Sequence, residues 1–147
     1  MPNRREIDAL EGATFAVEIE GVTQGPFLAV DFIESESEVI AFRSGDDPLL
    51  RKRPGRASFA NIVMRRAWTG NDELRLWRKA VEDGKVERKA GSVIILDATA
   101  SRGSGEIARF NFFEAWPCRW RLGRWDAAAS GILVEEVEIV VEKIEKG

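Results

Sequence analysis

Between residues 109 and 125 the chain reads RFNFFEAWPCRWRLGRW, and two kinds of side chain interleave there. Arg109, Arg119, Arg121 and Arg124 are cations suited to phosphate, while Phe110, Phe112, Phe113, Trp116, Trp120 and Trp125 offer flat faces on which bases stack. The protein has 8 Phe, 5 Trp and no Tyr, so almost half of its aromatic residues lie in this stretch. Three uses fit the pattern: a platform for single-stranded nucleic acid, a small-molecule box in a β-barrel, or a buried strand with a corner at Trp116-Pro117.

Other chemistries fall away. The chain has no histidine, which removes imidazole bases, His-dependent nucleophiles and H-E-x-x-H zinc sites. Its single cysteine, Cys118, can build neither a disulfide framework nor a thiolate metal centre, and fits a reducing cytoplasm. No phosphate-binding glycine motif is present; RGSG at 102–105 is too short and lies between two strands. Nothing marks any of the 25 Asp and Glu residues as catalytic. No enzyme, cofactor or metal is expected.

The elements that position the aromatic stretch follow from composition and periodicity. At 147 residues, 44% hydrophobic and 32% charged, the chain is expected to fold as a single domain with its own core. No apolar run approaches the roughly 20 residues of a membrane-spanning helix, and the charged start MPNRREIDALEG lacks the apolar segment of a secretory leader. Residues 1–13 are expected as a flexible or interface segment.

In TFAVEIEGV, Phe15, Val17 and Ile19 share one face and Glu18 and Glu20 the other, which predicts a half-buried strand. FLAVDFIE and SEVIAFR predict two more strands. Residues 44–57, with two prolines and many charges, predict a long exposed loop. FANIVMRRA resumes a strand, with Ile62 and Met64 on one face.

One helix is expected. Asn71 serves as N-cap, Asp72 and Glu73 suit the first turn, and Gly84 suits the C-cap. Leu74, Trp77 and Val81 form its apolar stripe.

SVIILD predicts a strand covered on both faces, and ATASRGSG the turn to EIARFNFFEAW. Alternation in that strand places Phe110 and Phe112 on one face and Phe113 on the other. The end, ILVEEVEIVVEKIEKG, fits both helical and strand periods, and its β-branched residues favour strand. The result is a mostly β domain with one α-helix, a sandwich or closed barrel of six to eight strands.

Charge is unevenly placed. Residues 43–66 hold seven basic and two acidic side chains, net +5, and residues 135–147 hold two basic and five acidic, net −3. Unlike poles on one protomer favour head-to-tail assembly. The faces carrying Glu18 with Glu20, and Glu135 with Glu136 and Glu138, are candidates for a lumen or an outer wall.

Read in order, the middle of the chain resembles the phage tail tube protein family. The resemblance rests on Pro54-Gly55, the strand 61–66 and Thr69-Gly70-x-Asp72-Glu73-Leu74-x-x-Trp77-Arg78-Lys79. It continues through Gly84, Arg88, Gly91-Ser92, Leu96-Asp97, Ala108-Arg109-Phe110-x-Phe112 and Ala115-Trp116-Pro117-x-x-Trp120, covering roughly residues 14–142. Members form the inner tubes of contractile phage tails and of extracellular contractile injection systems, and are similar to the type VI secretion ring protein.

The resemblance implies a barrel-like protomer in hexameric rings stacked head-to-tail. A sheath would surround the tube, baseplate or tube-initiator and terminator proteins would cap it, and effector cargo or DNA would pass within. Assembly would occur in the bacterial cytoplasm, with no membrane bound at rest. The loop at 44–57 would reach the next ring, making Arg43, Asp46, Asp47, Arg51, Lys52, Arg53 and Arg56 contact candidates. Phe15, Val17, Ile19, Ile62, Met64, Leu74, Trp77, Val81, Phe110, Phe112 and Trp116 would form core and wall.

The charged N-terminus, the hairpin TASRGSGE and the cluster Arg119, Arg121, Arg124, Trp125 depart from the family's usual pattern. Nucleic-acid and small-molecule binding remain as alternatives; an overall pI near 5.2 weighs against the first.

Overall fold

The computed structural model describes residues 13–97, 105–128 and 131–147. The expectations for residues 1–12 and for the turn at 98–104 lie outside the described residues. In β1 (Ala13–Ile19) Val17 and Ile19 are buried. Gly21, at φ 66, occupies the left-handed region that glycine enters without a Cβ penalty, and the chain reverses into β2 (Thr23–Phe27). The sequence concealed β2 because Gly25 and Pro26 are turn formers. As a strand laddered only to β1, it tolerates a proline.

A single residue, Leu28, separates β2 from β3 (Ala29–Val30). The segment 27–34, expected as one strand, thus contributes the end of β2 and the two residues of β3. The strand β3 pairs with β6 (Ile62–Ala67) on the far side of the sheet. With β7 (Lys89–Asp97), β8 (Glu106–Gly123) and β9 (Val134–Val140) the order is β2-β1-β7-β8-β9-β6-β3, antiparallel throughout. Its two ends are consecutive in the chain, so the sheet curls into a closed, barrel-like wall. A last strand, β10 (Lys143–Lys146), pairs with β8 at Phe110 to Phe113. The ambiguous C-terminal segment is therefore strand.

The 18-residue β8 is the spine. Its first part pairs with β7 and its second with β9. Two residues, Phe113 and Glu114, oppose Ala90 alone, and Glu114 takes φ 55. This bulge resets the alternation, so Phe112 is buried and the next buried residues are Ala115 and Pro117. The expected corner at Trp116-Pro117 is not an end. Pro117 pairs with Ile139 beside a second bulge at Cys118, a place where a missing N–H is tolerated, and the strand continues to Gly123.

Phe112, Ile62, Met64, Leu74, Val17, Val137 and Ile139 fill the interior. Phe15, Val81, Phe110 and Trp116, which the pattern groups with them, are half-buried. In β7, Val93 faces this interior and Ile94 is buried outside it, so the strand is covered on both faces as its composition implies.

The helix α1 (Glu73–Glu82) packs on β8. Asn71 Oδ1 accepts the Glu73 N–H at 2.8 Å, capping the helix one residue ahead of the boundary residue Asp72. At the other end Gly84 takes φ 84. There Lys85 N–H donates to Ala80 O (2.7 Å) and Gly84 N–H to Val81 O (3.0 Å), the paired bonds of a Schellman terminus. Trp77 buries its ring and donates Nε1–H to Glu87 O at 2.9 Å.

One part stands off the barrel. β4 (Ser35–Phe42) and β5 (Arg51–Phe59) form a separate two-stranded sheet. The expected loop at 44–57 is thus half strand. Its periodicity was invisible because both faces of the ribbon meet solvent and no apolar alternation was needed. At Gly55 the ribbon is tight: a Cβ would come within 3.1 Å of Ile40 and Glu38 side-chain atoms across it, and these would have to give by a few tenths of an ångström.

Candidate assembly surfaces

The charges of the barrel are largely satisfied within the chain. β6 and β9 run antiparallel with Arg65 opposite Glu136 and Arg66 opposite Glu135. Glu135 is 1% exposed, accepting Arg66 Nε–H at 2.7 Å and Trp120 Nε1–H at 2.8 Å. Glu136 is clasped by Arg65 Nε (2.7 Å) and Arg121 Nε (2.5 Å). The Arg121 hydrogen bond, above all, holds its carboxyl below the usual range. Arg65 also forks onto Asp31 at 2.7 and 3.3 Å, which raises its own pKa. Glu138 accepts from Asn61 Nδ2 at 2.8 Å.

This corrects two expectations. Glu135 and Glu136 do not present an acidic face to a lumen or sheath, because they are buried partners of arginines. The basic and acidic poles also meet inside one protomer, through Arg65 and Arg66. Sequence reasoning missed this network because only strand register brings the consecutive arginines to the consecutive glutamates. Of the other acidic face, Glu18 pairs with Arg109 at 3.2 Å and Glu20 is exposed.

The aromatic stretch is divided among surroundings rather than gathered on one platform. Phe112 is in the core, and Phe110, Phe113, Trp116 and Trp120 are half-buried. The Arg75 guanidinium lies 5.1 Å from the Trp120 ring, and Arg78 donates to Pro117 O at 3.1 Å, so these residues bond the helix to the wall. Arg109 is committed to Glu18 and Glu106, and Arg121 to Glu136. Cations already neutralised do not favour a phosphate-binding face. Two cations of the stretch differ: Arg119 and Arg124 are exposed with no partner among the described residues, and the neighbouring Trp125 is 73% exposed.

The β4–β5 ribbon shows the opposite state. Val39 (67% exposed), Phe42, Leu49 and Leu50 meet solvent. Asp47 organises the tip, accepting Leu49 N–H at 3.0 Å and Arg51 Nε–H at 2.7 Å; the Arg51 bond lowers its pKa. Arg53 stacks over Phe42 at 5.7 Å. Arg43, Asp46, Lys52 and Arg56 have no partner among the described residues. A two-stranded ribbon is marginal alone in water, and here it exposes apolar and unpaired charged side chains together.

Residues 12–145 match the model of the T4-like virus tail tube protein gp19 family. The chain belongs to that family. This tail tube protomer has a structural role, and its fold recurs in solved assemblies. One is the sheath–tube complex of an extracellular contractile injection system, PVC, at 22% identity over 100% of this chain and 99% of that one, TM-score 0.81. Another is the tube-terminating cap of the anti-feeding prophage, at 19% identity over 95% and 91%, TM-score 0.80. Hcp1 from Flavobacterium johnsoniae shares 20% identity over 91% and 94%, TM-score 0.60. No curated protein matches the tail tube sequence.

Proposed function

We propose that copies of this chain close into hexameric rings, that the rings stack head-to-tail into a hollow tube, and that a contractile sheath surrounds it. Tail tube family membership carries this reading. The β4–β5 ribbon supports it, since it joins no strand of the barrel sheet and leaves most of its side chains exposed. Similar proteins come from sheath–tube, baseplate and cap assemblies, which supports sheath, baseplate and terminator proteins as neighbours. The tube is a conduit for cargo or DNA, assembled in the bacterial cytoplasm and carried in a tail or injection particle, and catalysis plays no part in it. Arg43, Asp46, Asp47, Arg51, Lys52, Arg53 and Arg56 are the subunit contacts, through the ribbon that bears them.

Electron microscopy and sedimentation of the purified protein test the reading. Rings or tubes are expected. A protein that stays monomeric at high concentration, and is missing from sheathed particles of its host, overturns it.

A further inference from the structure

Glu135 is the buried end of a path that begins on the surface helix. Each of its carboxylate oxygens has one donor among the described residues: Oε1 takes Arg66 Nε–H at 2.7 Å, and Oε2 takes Trp120 Nε1–H at 2.8 Å. Beyond Arg66 lies the buried ring of Phe27, 5.6 Å from the guanidinium, where β2 ends and the chain passes through Leu28 into β3.

On the helix side, the face of the Trp120 indole carries the Arg75 guanidinium at 5.1 Å. Glu82, at the far end of α1, holds that guanidinium with two hydrogen bonds of 3.1 and 3.2 Å, and Arg78 approaches the same carboxylate at 3.8 Å. Opposite charges thus alternate from helix to barrel corner, with the indole between Arg75 and Glu135. The outer end meets water, the Arg75 and Glu82 side chains being 35% and 41% exposed, while the Glu135 side chain is fully enclosed.

The members of this path depend on one another. An indole N–H that donates to a carboxylate pushes electron density into the ring, whose face then attracts a cation more strongly. Conversely, an indole released by Arg75 is free to turn, which leaves Glu135 Oε2 without a donor in a site closed to water. A docked helix and a closed corner therefore favour each other.

We propose that Trp120 is a relay coupling α1 to the barrel corner, and that Arg75 is the positioning residue that holds its indole on Glu135. A contact made at the exposed Arg75–Glu82 pair is then felt at the buried Glu135 and Phe27. This coupling lies within one chain and does not depend on ring formation.

The indole N–H of Trp120 reports the coupling directly. Its NMR signal, assigned as the one lost in W120F, is expected to move upfield and to exchange with water about tenfold faster in R75M. R75K keeps the cation, and L76A alters only the exposed helix surface beside it, so both should leave the signal at its wild-type position. A double-mutant cycle tests the reach of the relay, since residues acting independently give additive effects. The effect of R75M on the urea-unfolding equilibrium constant is expected to fall from about tenfold in wild type to under about twofold in an E135Q background. An unmoved indole signal in R75M, an equal shift in R75K or L76A, or an additive cycle overturns the relay. Should E135Q fail to fold, the indole signal decides alone.

Discussion

The barrel and the ribbon use charge in opposite ways. On the barrel, arginines from β6 and β8 meet glutamates of β9 at hydrogen-bond distance, one carboxylate fully buried. On the ribbon five basic residues and four acidic ones share a single internal ion pair, Arg51 to Asp47, and the rest face solvent. Charge satisfied inside a chain stabilises that chain. Charge left unsatisfied, beside exposed Val39 and Phe42, is available to another copy. The residues that hold the protomer together are thus distinct from those the ribbon leaves exposed.

That contrast can be broken at either end. The largest effect is expected from Glu135→Ala, which leaves the Arg66 cation without its buried carboxylate and Trp120 without its acceptor; urea unfolding should show a loss of about 3–5 kcal/mol. A loss under about 1 kcal/mol would mean that the buried pair is not stabilising. Reversing Arg51, Lys52 and Arg53 together to Glu should leave unfolding within about 1 kcal/mol of wild type while tubes shorten or vanish in electron micrographs. Tubes of normal length would remove the ribbon from the assembly.

A pH titration sharpens the comparison further. The folded-state pKa of Glu136 lies below its ordinary value of 4.5, so its contribution is fully present above that value and is lost as pH falls through the folded pKa. Glu136→Gln should therefore flatten the fall in stability on acidification below about pH 4.5; an unchanged slope would assign the acid response elsewhere. The smallest effect is expected from Lys79→Ala. Its pair with Asp83, at 3.1 Å, is exposed, and its loss should change stability by no more than about 0.5 kcal/mol.

What the sequence made legible follows the same division. Where one face is buried, as in β1, β6 and α1, periodicity locates the element, because burial imposes it. Where an element is left mostly exposed, as in β5, no pattern is imposed, and Pro54 and Gly55 read as loop. The bulges of β8 escaped for another reason. The extra residue at Phe113 and Glu114 is defined by its partner Ala90, and pairing is a long-range property. The Glu135 and Glu136 network was hidden in the same way. The glutamates read as a solvated face until register set them against arginines.

Leu28 has a consequence for how the molecule comes apart. A sheet with free edges loosens by peeling its outermost strand, but here the outermost strands β2 and β3 are tethered through that one residue. Displacing one pulls directly on the other, so fraying from an edge should be coupled to opening of the opposite edge of the wall. Native-state hydrogen exchange should show the amides of β1, β6, β7 and β9 opening with one common free energy, while those of β4 and β5 exchange far sooner until assembly covers them.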